Sequence, residues 1–338
     1  MVDFRRDVPG WSKSYHLVYG VSAIQAHHQR LAYAALAAVC FFWGTTYLGI
    51  RIAVETIPPL YMISIRYILA GSILLTVVLV SGAKLPRGRE LFLIATCGIM
   101  SIGIGNGFLA IVEQWIPSGL AALFYTTAPF WMVGIEALLP DGKRPHRITI
   151  CGLIIGVCGV AYLVLPAICG EGITGRTVAG FLLLQVSAIG WMLGSLLQKR
   201  VRTEAAPFIS GAVQQFAAGL AVGVPALIFE RAPHVVSLRS ELALGYLIVF
   251  GSIIGFSSYI YSLARLPVAL VSIYTFVNTV VAVLLGWLLA KEPFGYRETI
   301  ATLIIFAGVA LVRWSETSRR VTLAGSAADE AGALPVND

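Results

Sequence analysis

The chain has 338 residues, of which 58% are hydrophobic and only 12% charged, with a net charge of +7. Soluble domains carry about 25% charged residues, and half that share cannot cover the surface of so long a chain with groups that water solvates. The composition excludes an ordinary soluble protein and predicts an all-α integral membrane fold.

Residues 1–30 contain Arg5, Arg6, Lys13 and Arg30 and lack an apolar core followed by a small-residue cleavage site, so they read as a cytoplasmic segment and not a secretory signal. Ten apolar segments of roughly spanning length follow, near 31–54, 60–81, 91–113, 118–139, 148–168, 177–197, 207–229, 241–263, 268–290 and 298–313. The connections are short and hold Pro, Gly or charge, as in GAKLPRGRE, PDGKRPHR and KEPFGYRE. Period-two alternation is absent, so helices, not a barrel, must satisfy the backbone in lipid. Residues 314–338, rich in Ala, Gly, Ser and acids, read as a disordered cytoplasmic tail. The five cysteines, Cys40, Cys97, Cys151, Cys158 and Cys169, form no CxxC pair, and their odd number argues against a disulfide framework. They read as small packing residues, and neither a metal nor a cofactor is expected.

Lys and Arg set the orientation. With the N-terminus in the cytoplasm, 17 basic residues fall in cytoplasmic segments and five (Arg176, Arg231, Arg239, Lys291 and Arg297) in external loops. Both termini are therefore expected in the cytoplasm.

The halves resemble each other. An offset of 150 aligns LFYTTAPFWMVGIEALL (123–139) with IYTFVNTVVAVLLGWLL (273–289) and Pro117 with Pro267. An offset of 148 aligns Trp43 with Trp191, Arg51 with Lys199, Arg66 with Gln214, and Ala70-Gly71 with Ala218-Gly219. A near-constant offset across five segments predicts an internal repeat over 31–168 and 177–313. Five helices per copy is an odd number, so the second copy must cross the membrane upside down. Inverted five-helix repeats around a central cavity are a mark of secondary transporters.

Polar side chains at membrane depth need a partner or a wet cavity. Asn106, Ala110 and Glu113 share one helix face by their i, i+4, i+7 spacing. With Trp43 and Tyr47, Trp191 and Ser195, Gln214, Tyr259, and Tyr274 and Asn278, they form a candidate lining of aromatic walls and a few hydrogen-bonding groups. Such a lining suits a small amphipathic solute. Arg51, Glu55, Arg66 and Glu113 cluster by depth at the outer side, two charges of each sign. They are expected to form an external gate in which Arg66 pairs with Glu113 or Glu55; for Arg51 and Glu55, snorkelling to the interface is the alternative. Arg66 lies about 9 Å into its helix at 1.5 Å per residue, too deep for that. Glu113 is the better candidate for a proton carrier, with uncoupled facilitation the alternative. No GxxxxGK[ST], HExxH or GxSxG occurs, which argues against ATP hydrolysis and these enzyme chemistries. The basic loops lack the interleaved aromatics of a nucleic-acid surface.

FFWGTTYLGIRIAVETIPPLYMISIRYILAG resembles the opening of EamA-type domains of the drug/metabolite transporter superfamily, with Trp43, Gly44, Arg51, Pro58, Pro59, Arg66, Ala70 and Gly71 at the matching positions. VEQWIPSGLAALFYTTAPFW and YTFVNTVVAVLLGWLLAKEPF are similar to two later stretches of the family. The resemblance covers roughly residues 31–313. It implies ten transmembrane helices, an inverted repeat and a central cavity. The expected setting is the inner (plasma) membrane, with a lipid bilayer and a small-molecule substrate as the partners and a monomer as one option for the oligomeric state. The resemblance also implies export of small metabolites, amino acids and aromatic ones among them, by alternating access. A membrane scaffold or sensor, or a lipid-handling protein, is the alternative. One departure stands out: where the family often has Pro after the Asn of helix 9, this chain has Thr279, while its first-half counterpart keeps Pro129. The expectation is a straighter helix 9.

Overall fold

A computed structural model describes residues 11–138, 146–168, 175–201, 203, 205–233, 235–263, 265–266, 271, 274–292 and 295–332. Cys169, Lys143, Arg144 and Pro267 lie outside the described residues. No strand occurs among the described residues, as expected for backbone that must satisfy itself in lipid.

The helices are α1 (Trp11–Ala53), α2 (Pro59–Val80), α3 (Gly88–Val112), α4 (Ser118–Leu138) and α5 (Arg147–Ile168). The second half supplies α6 (Gly175–Arg200), α7 (Pro207–Phe229), α8 (Leu238–Ser262), α9 (Tyr274–Ala290) and α10 (Tyr296–Gly332). Among the described residues seven are long and apolar enough to cross a membrane: α1 from His28, then α2, α3, α4, α6, α7 and α8. The apolar parts of α5 and α9, Arg147–Gly159 and Val277–Ala290, are shorter. α10 runs as one helix to Gly332.

α3 and α8 each contain a π-helical stretch, Ile99–Ile104 and Leu247–Gly255, whose starts lie 148 residues apart. α4 is interrupted after Tyr125 and resumes at Ala128. Thr126 and Thr127 turn their hydroxyls back to the carbonyls of Leu123 and Phe124. Pro129 lacks the N–H that would bond Tyr125, which accounts for the break there. The corresponding stretch of α9 is one unbroken helix, and Thr279 Oγ1 donates to Thr275 O at 3.1 Å. Threonine keeps the backbone N–H that proline lacks, which suits a continuous helix here.

The most extensive packing joins one helix of each half: α2 with α7, and α5 with α10. The α2–α7 crossing is reciprocal. A Cβ on Gly71 would stand 2.5 Å from Phe216 N, and a Cβ on Gly219 would stand 2.6 Å from Ile68 N. Adding 148 turns Ile68 into Phe216 and Gly71 into Gly219, so each half makes the same contact on the other. Only glycine lets the two backbones approach so closely. α5 and α10 cross where a Cβ on Gly152 would stand 2.7 Å from Gly308 O.

Carboxylates from the second half hold two helix starts of the first. α2 begins after Pro58 and α4 after Pro117, and neither has a side-chain cap of its own. Glu230, just past α7, accepts from Leu60 N and Tyr61 N, both at 3.0 Å. Glu292, just past α9, accepts from Ser118 N at 2.7 Å, Gly119 N at 3.0 Å and Ser118 Oγ. Lys291 before it takes φ 53°, a left-handed turn that ends α9 and swings Glu292 back towards α4. A negative charge on unsatisfied N–H groups at a helix N-terminus is stabilising.

Gly71→Val should cost about 1–3 kcal/mol through overpacking of the α2–α7 crossing, seen as a melting temperature several degrees lower in detergent. Gly134→Ala, where an added Cβ meets nothing within 4 Å, should melt like the parent. Glu292→Ala should lose about 1–2 kcal/mol, the worth of a helix cap, in the same assay.

Candidate functional site

Between the halves lies an open-mouthed cavity of about 100 Å³. Its aromatic wall comes from Trp43 and Tyr47 of α1, Tyr67 of α2, Tyr125 of α4, Trp191 of α6, Phe256 of α8 and Tyr274 of α9. Trp43 and Trp191, aligned by the offset of 148, meet edge to face with ring centroids 6.2 Å apart. Tyr274 also meets Trp43 edge to face, at 5.1 Å. The hydrogen-bonding groups are those of Thr46, Arg66, Asn106, Thr126, Gln215, Ser252, Thr275, Asn278 and Thr279.

The Trp-Gly pair of α1 sets this geometry. A Cβ on Gly44 would stand 2.6 Å from Val281 Cβ, so α9 packs directly on α1 there. The Trp43 ring turns the other way, against the π-helical stretch of α8, and its Nε1 donates to Gly251 O at 3.0 Å. π-helical backbone leaves carbonyls free of their usual i+4 partner, and this stretch receives three side chains. Besides Trp43, Arg66 Nε donates to Ser252 Oγ at 2.8 Å, and Gln215 Nε2 to Ser252 O at 3.4 Å. The amide nitrogen of Asn278 faces the carbonyls of Cys40 and Tyr274, 2.9 Å from each, which ties α9 to α1.

Of the residues anticipated in the lining, Trp43, Tyr47, Asn106, Trp191, Tyr274 and Asn278 reach the cavity. Four stand behind its wall. Ala110 is fully buried in the apolar core. Ser195 Oγ turns back to Trp191 O on its own helix at 2.7 Å. Gln214 faces α3, where its backbone packs against Gly98, and Gln215 takes the cavity position. Tyr259 supports the wall from outside, its ring 5.1 Å from Trp43 and 5.7 Å from Tyr274. One helical position is a turn of about 100°, so neighbouring glutamines face different environments. Ser252 went unnoticed, although a hydroxyl flanked by Gly251 and Gly255 in an apolar run signals a backbone or ligand close by.

The four charges do not form the anticipated network. Arg51 Nη1 donates to the backbone carbonyl of Glu113, not to its carboxylate. Glu55 pairs at 3.5 Å with Arg239 of the second half, with both side chains exposed, a pair of little energetic worth. Glu113 is fully buried, and neither of its carboxylate oxygens has a hydrogen-bond partner. Arg66 lines the cavity, and no ion pair joins it to a carboxylate among the described residues. Depth along a helix placed these groups at similar heights, but the face each helix turns inward gives Glu55, Arg66 and Glu113 different neighbours. Among the described residues no cluster of His, Cys, Asp or Glu is arranged to hold a metal ion.

The model of the EamA-like transporter family matches this chain twice, over residues 30–165 and 178–314. The inner membrane transporter YedA of Escherichia coli strain K12 is 36% identical over 282 residues, which span 83% of this chain and 90% of that protein. A chloroplastic WAT1-related protein of Arabidopsis thaliana is 23% identical over 85% of this chain and 70% of its own length. A solved crystal structure, 20% identical, superposes with a TM-score of 0.62 over 86% of this chain and 98% of the other, and so has the same fold. With both halves matched by one family and an aromatic cavity between them, the chain belongs to the EamA-like transporter family, and is a transporter of the drug/metabolite superfamily.

Proposed function

We propose that the protein is a ten-span secondary transporter of the inner membrane, with both termini cytoplasmic, that exports small amphipathic metabolites by alternating access. Amino acids with apolar or aromatic side chains are the substrate class. The observation that carries this reading is the cavity: indole and phenol walls with a few amides and hydroxyls, sited where the two halves meet. Aromatic faces take an apolar side chain, while the polar groups orient a small head.

Two contacts support an inverted repeat. Thr56, in the loop before α2, accepts from Ser237 N at 3.1 Å at the start of α8. Thr203, in the loop before α7, donates to Glu90 at the start of α3. Adding 147 converts Thr56 to Thr203 and Glu90 to Ser237, so the second contact is the first with the halves exchanged. Thr56 precedes α2 and Glu90 follows it, so the two contacts fall at opposite ends of a spanning helix. This supports a reading in which equivalent parts of the two copies belong to opposite membrane faces. In this reading Glu230 and Glu292 hold the outer face closed, and their contacts with the first half break when the cavity opens outward.

Proteoliposomes holding the full chain, offered radiolabelled amino acids and nucleosides with and without a pH gradient, test the proposal. Flux of phenylalanine or tryptophan well above empty liposomes is expected, with Trp43→Ala lowering it about tenfold or more. No flux across the panel from protein that elutes as a single folded species would sink the transporter reading of this cavity and favour a scaffold.

A further inference from the structure

We infer that Arg66 anchors the carboxylate of the transported solute, so that the cavity selects organic monoanions or zwitterions carrying an apolar body. The inference rests on the transporter reading above and names the charge that its substrate must bring. Arg66 is 3% exposed and lines the cavity from α2. Its guanidinium is held at one end only: Nε donates to Ser252 Oγ at 2.8 Å, and the Tyr67 ring lies 4.8 Å from Cζ. Nη1 is buried without a hydrogen-bond partner. Among the described residues no Asp or Glu lines the cavity, and Arg66 is the charged residue that does.

An unpaired buried cation is costly, and removing one partner of a buried pair leaves that cost behind. A structure retains such a group where a partner arrives. Guanidinium offers planar donors that match a carboxylate two-pronged. Ser252 fixes one edge of the guanidinium and leaves Nη1 for the arriving anion. Gly251 gives it room: a Cβ there would stand 2.8 Å from Arg66 Nη2. The wall supplied by Trp43, Trp191 and Tyr274 then receives the apolar body of the solute.

The full-length protein in detergent, titrated by quenching of its tryptophan fluorescence, tests the anchor with matched probes. These are L-phenylalanine and 3-phenylpropanoate against L-phenylalaninamide and 3-phenylpropanamide, which keep the ring and lose the anion. The parent should bind each carboxylate about tenfold or more tightly than its amide. Arg66→Gln should bring each pair within about threefold, while Arg66→Lys keeps part of the preference. The ligand-side comparison uses the unaltered protein, so a misfolded variant does not remove the test. Equal affinity for acid and amide in the parent, binding of neither carboxylate, or full discrimination retained in a folded Arg66→Gln variant would each overturn the anchor. If the proteoliposomes still move uncharged nucleosides, the anchor alone has failed; if they move nothing, the transporter reading has failed with it.

Discussion

Two glycines, Gly71 and Gly219, set the distance between the halves. In lipid the hydrophobic effect gives no reason for two helices to prefer each other over acyl chains, so they associate through close packing. At the α2–α7 crossing each glycine accepts the backbone of the other helix, at Phe216 and at Ile68. The α5–α10 crossing uses Gly152 and Gly308 in a similar way. These two glycine seams bring the halves together at their edges. The large side chains of α1, α4, α6, α8 and α9 then stand between the seams, too bulky to close the space, and the hollow is what remains.

The same low-dielectric surroundings govern the polar groups. A helix start without a cap leaves N–H groups unsatisfied, and Pro58 and Pro117 offer no side-chain acceptor. Glu230 and Glu292 fill that role from the other half, so one interaction satisfies the helix and joins the repeat. The π-helical stretch of α8 works the other way round. It leaves backbone and hydroxyl acceptors open, and Trp43, Arg66 and Gln215 converge on them. The cavity wall is thus fixed by polar contacts between helices, not by rings packed loosely against one another.

Much of this was legible in the sequence because it depends on composition and spacing. That the chain is helical followed from its apolar runs. Thr279 in place of proline foretold a continuous α9 because the effect is local. What the sequence hid depends on helix rotation and on partners far along the chain. Gln214 and Gln215 cannot be told apart without knowing which way α7 faces. Arg66, Glu113 and Glu55 share a depth yet face different neighbours, so a network built on depth alone dissolves. Glu230 and Glu292 lie 170 and 174 residues from the N–H groups they accept from, and no local pattern announces such a pair.

The proposed account stands on the two halves crossing the membrane in opposite senses. Single cysteines at Lys84 and Arg231, in a background without the five native ones, test this with a membrane-impermeant maleimide on intact cells. The account predicts labelling at 231 from outside and at 84 only after the membrane is opened. Labelling of both from the same face would contradict it.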